Sequence, residues 1–121
     1  MPQASGFLNV NKPAGWTSFD VVAALRRLTG IRRIGHGGTL DPQATGVLPI
    51  GIGQATRMTE YLLTTSKQYI GQIRLGIATT TYDAEGEVTA VGDASRIGPD
   101  QVERTLSAFT GRIEQVPPQY S

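Results

Sequence analysis

The chain has 121 residues, a formal net charge of +1, 15 glycines, one histidine and no cysteine. That length bounds it to about one domain, and the composition excludes a disulfide framework, a thiolate metal site, a cysteine nucleophile and any site that needs two histidines. No apolar run approaches the ~20 residues of a membrane helix, and the opening MPQASGFLNVNK lacks the charged-then-apolar order of a secretory signal, so a reducing, cytoplasmic setting with no membrane partner is expected.

In chain order, residues 7–11 alternate weakly and read as a short strand, broken by Lys12-Pro13-Ala14-Gly15. A helix follows. Thr17 or Ser18 can cap it, Asp20 suits its first turn, Val21, Leu25 and Leu28 lie on one face, and Gly30 suits the left-handed residue that ends it. Residues 35–46 form a glycine-rich loop, long enough to suggest function. Val47 to Gly53 reads as a buried strand in which Pro49 implies an edge or a bulge. Ala55, Met58 and Leu62 suit a helix face. Lys67 to Leu75 alternates as a half-buried strand and Glu87 to Val91 returns, so 67–91 is expected to be a long hairpin turning at Asp83-Ala84-Glu85-Gly86. A last helix over 99–110 is expected to bury Val102, Leu106 and Phe109, and 113–116 to form a further strand. Helices mixed with a hairpin predict an α+β fold.

The net charge hides an asymmetry: residues 1–74 carry +5 and residues 75–121 carry −4. Arg26, Arg27, Arg32 and Arg33 concentrate the excess, either as a solvated helix end or as a surface that neutralises phosphates. The glycine loop fits neither a P-loop nor a complete dinucleotide fingerprint. Within it, Asp41 precedes a proline and is therefore held extended. It either opens a turn or serves as a carboxylate nucleophile, a chemistry that needs no metal and no cofactor. A two-carboxylate glycosidase arrangement would need a second acid, and the loop holds none. His36 is either a satisfied polar ring or a flat surface for a base, Tyr69 either core or a platform for a pyrimidine, and Lys12 either solvated or a phosphate contact.

The segment Gly35-His36-Gly37-Gly38-Thr39-Leu40-Asp41-Pro42-Gln43-Ala44-Thr45-Gly46-Val47-Leu48 resembles the signature loop of the TruB family of tRNA pseudouridine synthases, G-H-x-G-x-L-D-P-x-A-T-G-x-L, at every fixed position. Asn11-Lys12-Pro13-Ala14-Gly15-Trp16-Thr17-Ser18 resembles the family's K-P-x-G-x-[ST]-S opening, Lys67-Gln68-Tyr69 its K-x-Y strand, Thr80 to Gly86 all but the first position of its T-x-T-x-D-x-x-G turn, and Pro117-Pro118-Gln119-Tyr120-Ser121 the start of its P-P-x-Y-S-A segment. The resemblance implies the synthase's mixed, mainly antiparallel sheet flanked by helices, here incomplete. It implies isomerisation of a T-loop uridine in tRNA, with no cofactor and no metal. Asp41 would be the catalytic carboxylate, His36 would lie near the extruded nucleotide and Tyr69 would stack on the base, while charge logic adds Lys12, Arg32 and Arg33 as RNA contacts. Members of the family are much longer, and place in their second half a basic partner of the aspartate and an apolar residue that packs the uracil. Residues 1–121 are thus expected to be the N-terminal part of a catalytic domain, without the second half or a PUA-type domain, acting as a monomer and weakly active or inactive alone. Two alternatives stand beside this reading. One is the guide-RNA-dependent dyskerin type, which the Gln43 to Leu48 run fits less well. The other is a non-catalytic RNA-binding module, which would not need Asp41, His36 and Tyr69 together.

Overall fold

The structure, a computed structural model, describes residues 4–119 and divides into two compact units, Met1–Gln68 and Tyr69–Ser121. Tyr120 and Ser121, the end of the Pro-Pro segment, lie outside the described residues, as do residues 1–3.

The first unit is built on a three-stranded antiparallel sheet. Strand β1 (Gly6–Lys12) leads to helix α1 (Ser18–Thr29), then to β2 (Ile34–His36) and β3 (Gly46–Ile52), with spatial order β1-β3-β2. In β3 the period-two pattern sends Leu48 and Ile50 to one face. There they meet Val21 and Val22 of α1 and Ile34 of β2, and all five are buried. Val10, Leu25, Ile31, Leu40 and Ile52 pack around them. Leu28, expected on the buried stripe, is 82% exposed; it lies in the last turn of α1, and the buried face runs through Val21 and Val22 instead.

Pro49 sits in the central strand rather than at an edge. Its carbonyl accepts the Gly37 N–H on the β2 side. In an antiparallel ladder a residue's N–H and C=O face the same neighbour, so its missing donor faces the place where β2 ends, and the proline closes that ladder without breaking the one to β1. After β3, a 3₁₀ turn at Gly53–Met58 and a single helical turn α2 (Thr59–Leu62) replace the expected longer helix. Gly53 is at φ 63°, and a Cβ there would lie 2.6 Å from the Ala4 carbonyl oxygen.

The second unit holds a two-stranded sheet, β4 (Ile77–Thr79) against β5 (Val88–Val91), and helix α3 (Pro99–Leu106) followed by a 3₁₀ turn at Ser107–Phe109. The hairpin is therefore shorter than expected, and residues 66–74 and 113–116 have no strand pairing among the described residues. Alternation alone does not make a strand; the ladder partner does. Val102, Leu106 and Phe109 are exposed rather than buried, and no described residue of this unit is buried. The connecting turn is held by Asp83, whose carboxylate accepts the Thr81 hydroxyl at 2.5 Å and the Glu85 N–H at 2.9 Å. These bonds, the hydroxyl first, hold its carboxyl below the ordinary value.

Helix α1 begins with a reciprocal capping box. Thr17 Oγ1 accepts the Asp20 N–H at 3.0 Å, and the Asp20 carboxylate accepts the Thr17 N–H at 2.8 Å. That Thr17 N–H, with the Thr17 hydroxyl second and Arg27 adding attraction, lowers the Asp20 pKa below its ordinary 3.8. A carboxyl with a folded pKa below its unfolded one stabilises the fold at all pH above the unfolded value and loses that contribution as pH falls through the folded value. Asp20→Asn is accordingly expected to flatten the acid limb of the unfolding midpoint below about pH 4, measured by circular dichroism, with little effect on the slope near neutrality.

Candidate active site

The loop between β2 and β3 carries the singular chemistry of the chain, and the structure shows how it is held. His36, the last residue of β2, donates from Nδ1 to the Gly38 carbonyl. A carbonyl can only accept, so the nitrogen that faces it carries a proton and the bond fixes the orientation of the ring. Gly37 is buried, and a Cβ there would lie 2.8 Å from Leu62 Cδ1, so a larger residue at this point would require the Leu62 side chain to shift.

The backbone is then pinned on both sides of Asp41. Before it, Leu40 donates its N–H to Ser18 Oγ at 3.0 Å, and the same hydroxyl donates to the Leu40 carbonyl at 3.2 Å. After it, the Pro42 carbonyl accepts the Gly15 N–H at 2.7 Å and Lys12 Nζ at 3.1 Å. Asp41 closes a turn through its own carbonyl, which accepts the Ala44 N–H. Its residue is exposed, whereas Ser18 and Lys12 are buried. The result is a carboxylate facing solvent on a backbone tied to β1 and to the start of α1.

Lys12 requires a correction. Charge logic assigns it a phosphate contact, but it is 0% exposed. Its ammonium donates to the carbonyls of Pro13 at 2.9 Å, Trp16 at 2.6 Å and Pro42 at 3.1 Å. An ammonium has three donors, and all three are used, so none remains for RNA. Burying a charge is tolerated only where hydrogen bonds replace water; here they do so by stitching the Lys12–Ser18 segment to the Asp41 loop.

The arginines divide. Arg26 Nη2 donates to the Ile34 carbonyl at 2.9 Å, which makes it a brace between α1 and β2. Arg33 Nε donates to Thr56 Oγ1 at 3.0 Å while the residue stays exposed, and Arg32 is exposed as well. Arg27 lines, with Gly15, Trp16, Asp20 and Ala23, a shallow cleft of about 250 Å³. Tyr69 belongs to the second unit and is 67% exposed, in a segment without regular secondary structure. Ser18 is the residue that sequence reasoning undervalues. It reads only as a helix cap, a role Thr17 fills, and its adjacency to Thr17 masks its reach of 22 positions along the chain. Among the described residues no group of three or more His, Cys, Asp or Glu is placed to hold a metal ion, and no helix is long and apolar enough to cross a membrane.

Comparison with known proteins gives this arrangement a family. The family model described as TruB family pseudouridylate synthase (N terminal domain) matches residues 26–121, and the chain belongs to that family. The tRNA pseudouridine synthase B of Thermobifida fusca (strain YX) is 57% identical over 118 residues, covering 98% of this chain and 40% of that relative. The tRNA pseudouridine synthase B of Gloeothece citriformis (strain PCC 7424) is 53% identical over 116 residues, covering 96% of this chain and 37% of the relative. The chain thus spans well under half the length of these relatives. Among solved structures, a crystal structure of a Cbf5-Nop10-Gar1 complex matches with a TM-score of 0.64 at 29% identity, over 96% of this chain and 30% of that chain.

Replacing Lys12 by methionine removes three charge-assisted bonds and leaves the Pro13 and Trp16 carbonyls without the lysine. A loss of about 2–3 kcal/mol is expected, at the upper end for bonds to a charged group, read as a lowered urea midpoint at unchanged slope.

Proposed function

We propose that this chain supplies the N-terminal part of the catalytic domain of a tRNA pseudouridine synthase, with Asp41 as its catalytic carboxylate and a T-loop uridine as its target. The observation that carries the reading is the exposed Asp41 held between two pinned residues, in a chain 53–57% identical to proteins named tRNA pseudouridine synthase B. The lower identity to the Cbf5 structure, 29%, favours direct action on tRNA over the guide-RNA-dependent type.

The chemistry balances without an oxidant or a reductant. The bond from the ribose C1′ to the uracil N1 breaks, a bond from C1′ to C5 forms, C5 gives up a proton and N1 gains one. A carboxylate fits this isomerisation in three ways: by attacking the sugar, by adding to the base, or by taking a sugar proton. In each, the target must leave the RNA stack, which takes a few kcal/mol. The exposed Arg32 and Arg33 fit contacts to phosphates that hold the RNA while this happens. The His36 ring, oriented by its Nδ1 bond, fits a place beside the extruded nucleotide. For Tyr69 the K-x-Y resemblance, together with an exposed ring, supports stacking on the target base. Action as a monomer is part of the same reading, and the cysteine-free composition fits the cytoplasm.

Two outcomes test the reading. In the full gene product, Asp41→Asn is expected to lower pseudouridine formation in tRNA transcripts by about 10³-fold or more while tRNA binding persists; wild-type product from that variant would remove Asp41 from the chemistry. Alanine at both Arg32 and Arg33 is expected to lower the slope of log affinity against log salt by about one to two units, roughly one for each phosphate no longer neutralised, in a titration of tRNA binding across salt concentrations.

A further inference from the structure

We infer that Ser18 is a positioning residue for the Asp41 carboxylate, acting through the backbone of Leu40; the inference rests on the catalytic role proposed for Asp41. Ser18 is 3% exposed. Its hydroxyl takes the Leu40 N–H at 3.0 Å and gives its own proton to the Leu40 carbonyl at 3.2 Å, so one side chain satisfies both backbone groups of the residue before Asp41. The pairing mimics a strand neighbour where no strand runs. It is not a helix cap, because Thr17 performs that function with its own hydroxyl.

The consequence is geometric. The Leu40 carbonyl belongs to the peptide unit that ends on the Asp41 nitrogen, so fixing that carbonyl fixes the plane from which the Asp41 side chain departs. On the other side Pro42 restricts Asp41 to an extended backbone, and the Pro42 carbonyl is held by Gly15 and Lys12. Ser18 is itself rigid: it starts α1, whose Val21 and Val22 are locked into the core. Remove the hydroxyl, and Asp41 keeps its turn to Ala44 but loses the tether on its N-terminal side. A displacement on the order of 1 Å at a reacting group can lower a rate by ~10²-fold.

The experiment is Ser18→Ala in the full gene product, with kcat and KM for a tRNA transcript measured well below the unfolding midpoint and the folded fraction read by near-ultraviolet circular dichroism. The expected result is a kcat lowered about 10- to 100-fold per folded molecule, with KM within about threefold. A kcat that falls only in proportion to the folded fraction, or not at all, overturns the inference, because a purely structural serine would do no more. If Ser18→Ala does not fold, Ser18→Cys, which keeps the volume and a weaker hydrogen-bonding atom, is measured by the same criteria. Asp41→Asn is run beside it. An active Asp41→Asn variant would sink the proposed catalytic role, whereas an inactive one together with a fully active, folded Ser18→Ala would sink this inference alone.

Discussion

A buried ammonium with three carbonyl partners is the constraint around which the first unit is organised. Lys12 ends β1, and its head group gathers the carbonyls of Pro13, Trp16 and Pro42 into one point. Two of those belong to the loop leading into α1 and the third to the loop that carries Asp41. A neutral side chain in this position would leave polar carbonyls facing an apolar neighbour, which is unfavourable; a lysine in solvent would order nothing. The interior position converts a charge into a fastener. The Asp41 loop can therefore be rich in glycine, open to solvent and still defined in space, because its order is imposed from beneath rather than from within.

A similar division of tasks runs through the arginines. Arg26, which resembles its neighbours in sequence, is drawn into the fold by the Ile34 carbonyl, while Arg32 and Arg33 remain at the surface. Four cations within eight positions thus perform at least two tasks, and only the geometry separates them. On the acidic side, Asp20 and Asp83 are held ionised by local N–H and hydroxyl donors. Both serve turns and helix starts, which leaves Asp41 as the carboxylate of the glycine loop whose surroundings leave it facing solvent.

Much of the first unit was legible in the sequence. The Thr17 cap, the left-handed Gly30 and the alternation through Leu48 and Ile50 are local signals, and local signals translate directly into α1 and β3. The second unit was not, and for a physical reason. Residues 67–75 alternate as a strand should, yet a strand exists only with a partner along its edge, and none is paired there among the described residues. Val102, Leu106 and Phe109 likewise make an apolar stripe without burial. At the site, the signature loop pointed to Asp41 and His36, but the roles of Lys12 and Ser18 depend on bonds spanning 30 and 22 positions, which no periodicity reports. Lysine reads as surface by type, and only its burial shows otherwise.

The narrow passage at Gly37 couples two distant parts of the chain. Its missing Cβ is the space that Leu62 of α2 occupies, so two residues far apart in sequence share a single volume. A bulkier residue at 37 is compatible with this packing only when the side chain at 62 turns away or shrinks. Position 37 is therefore not independent in this chain: what it can hold depends on the side chain that the helix turn places across from it.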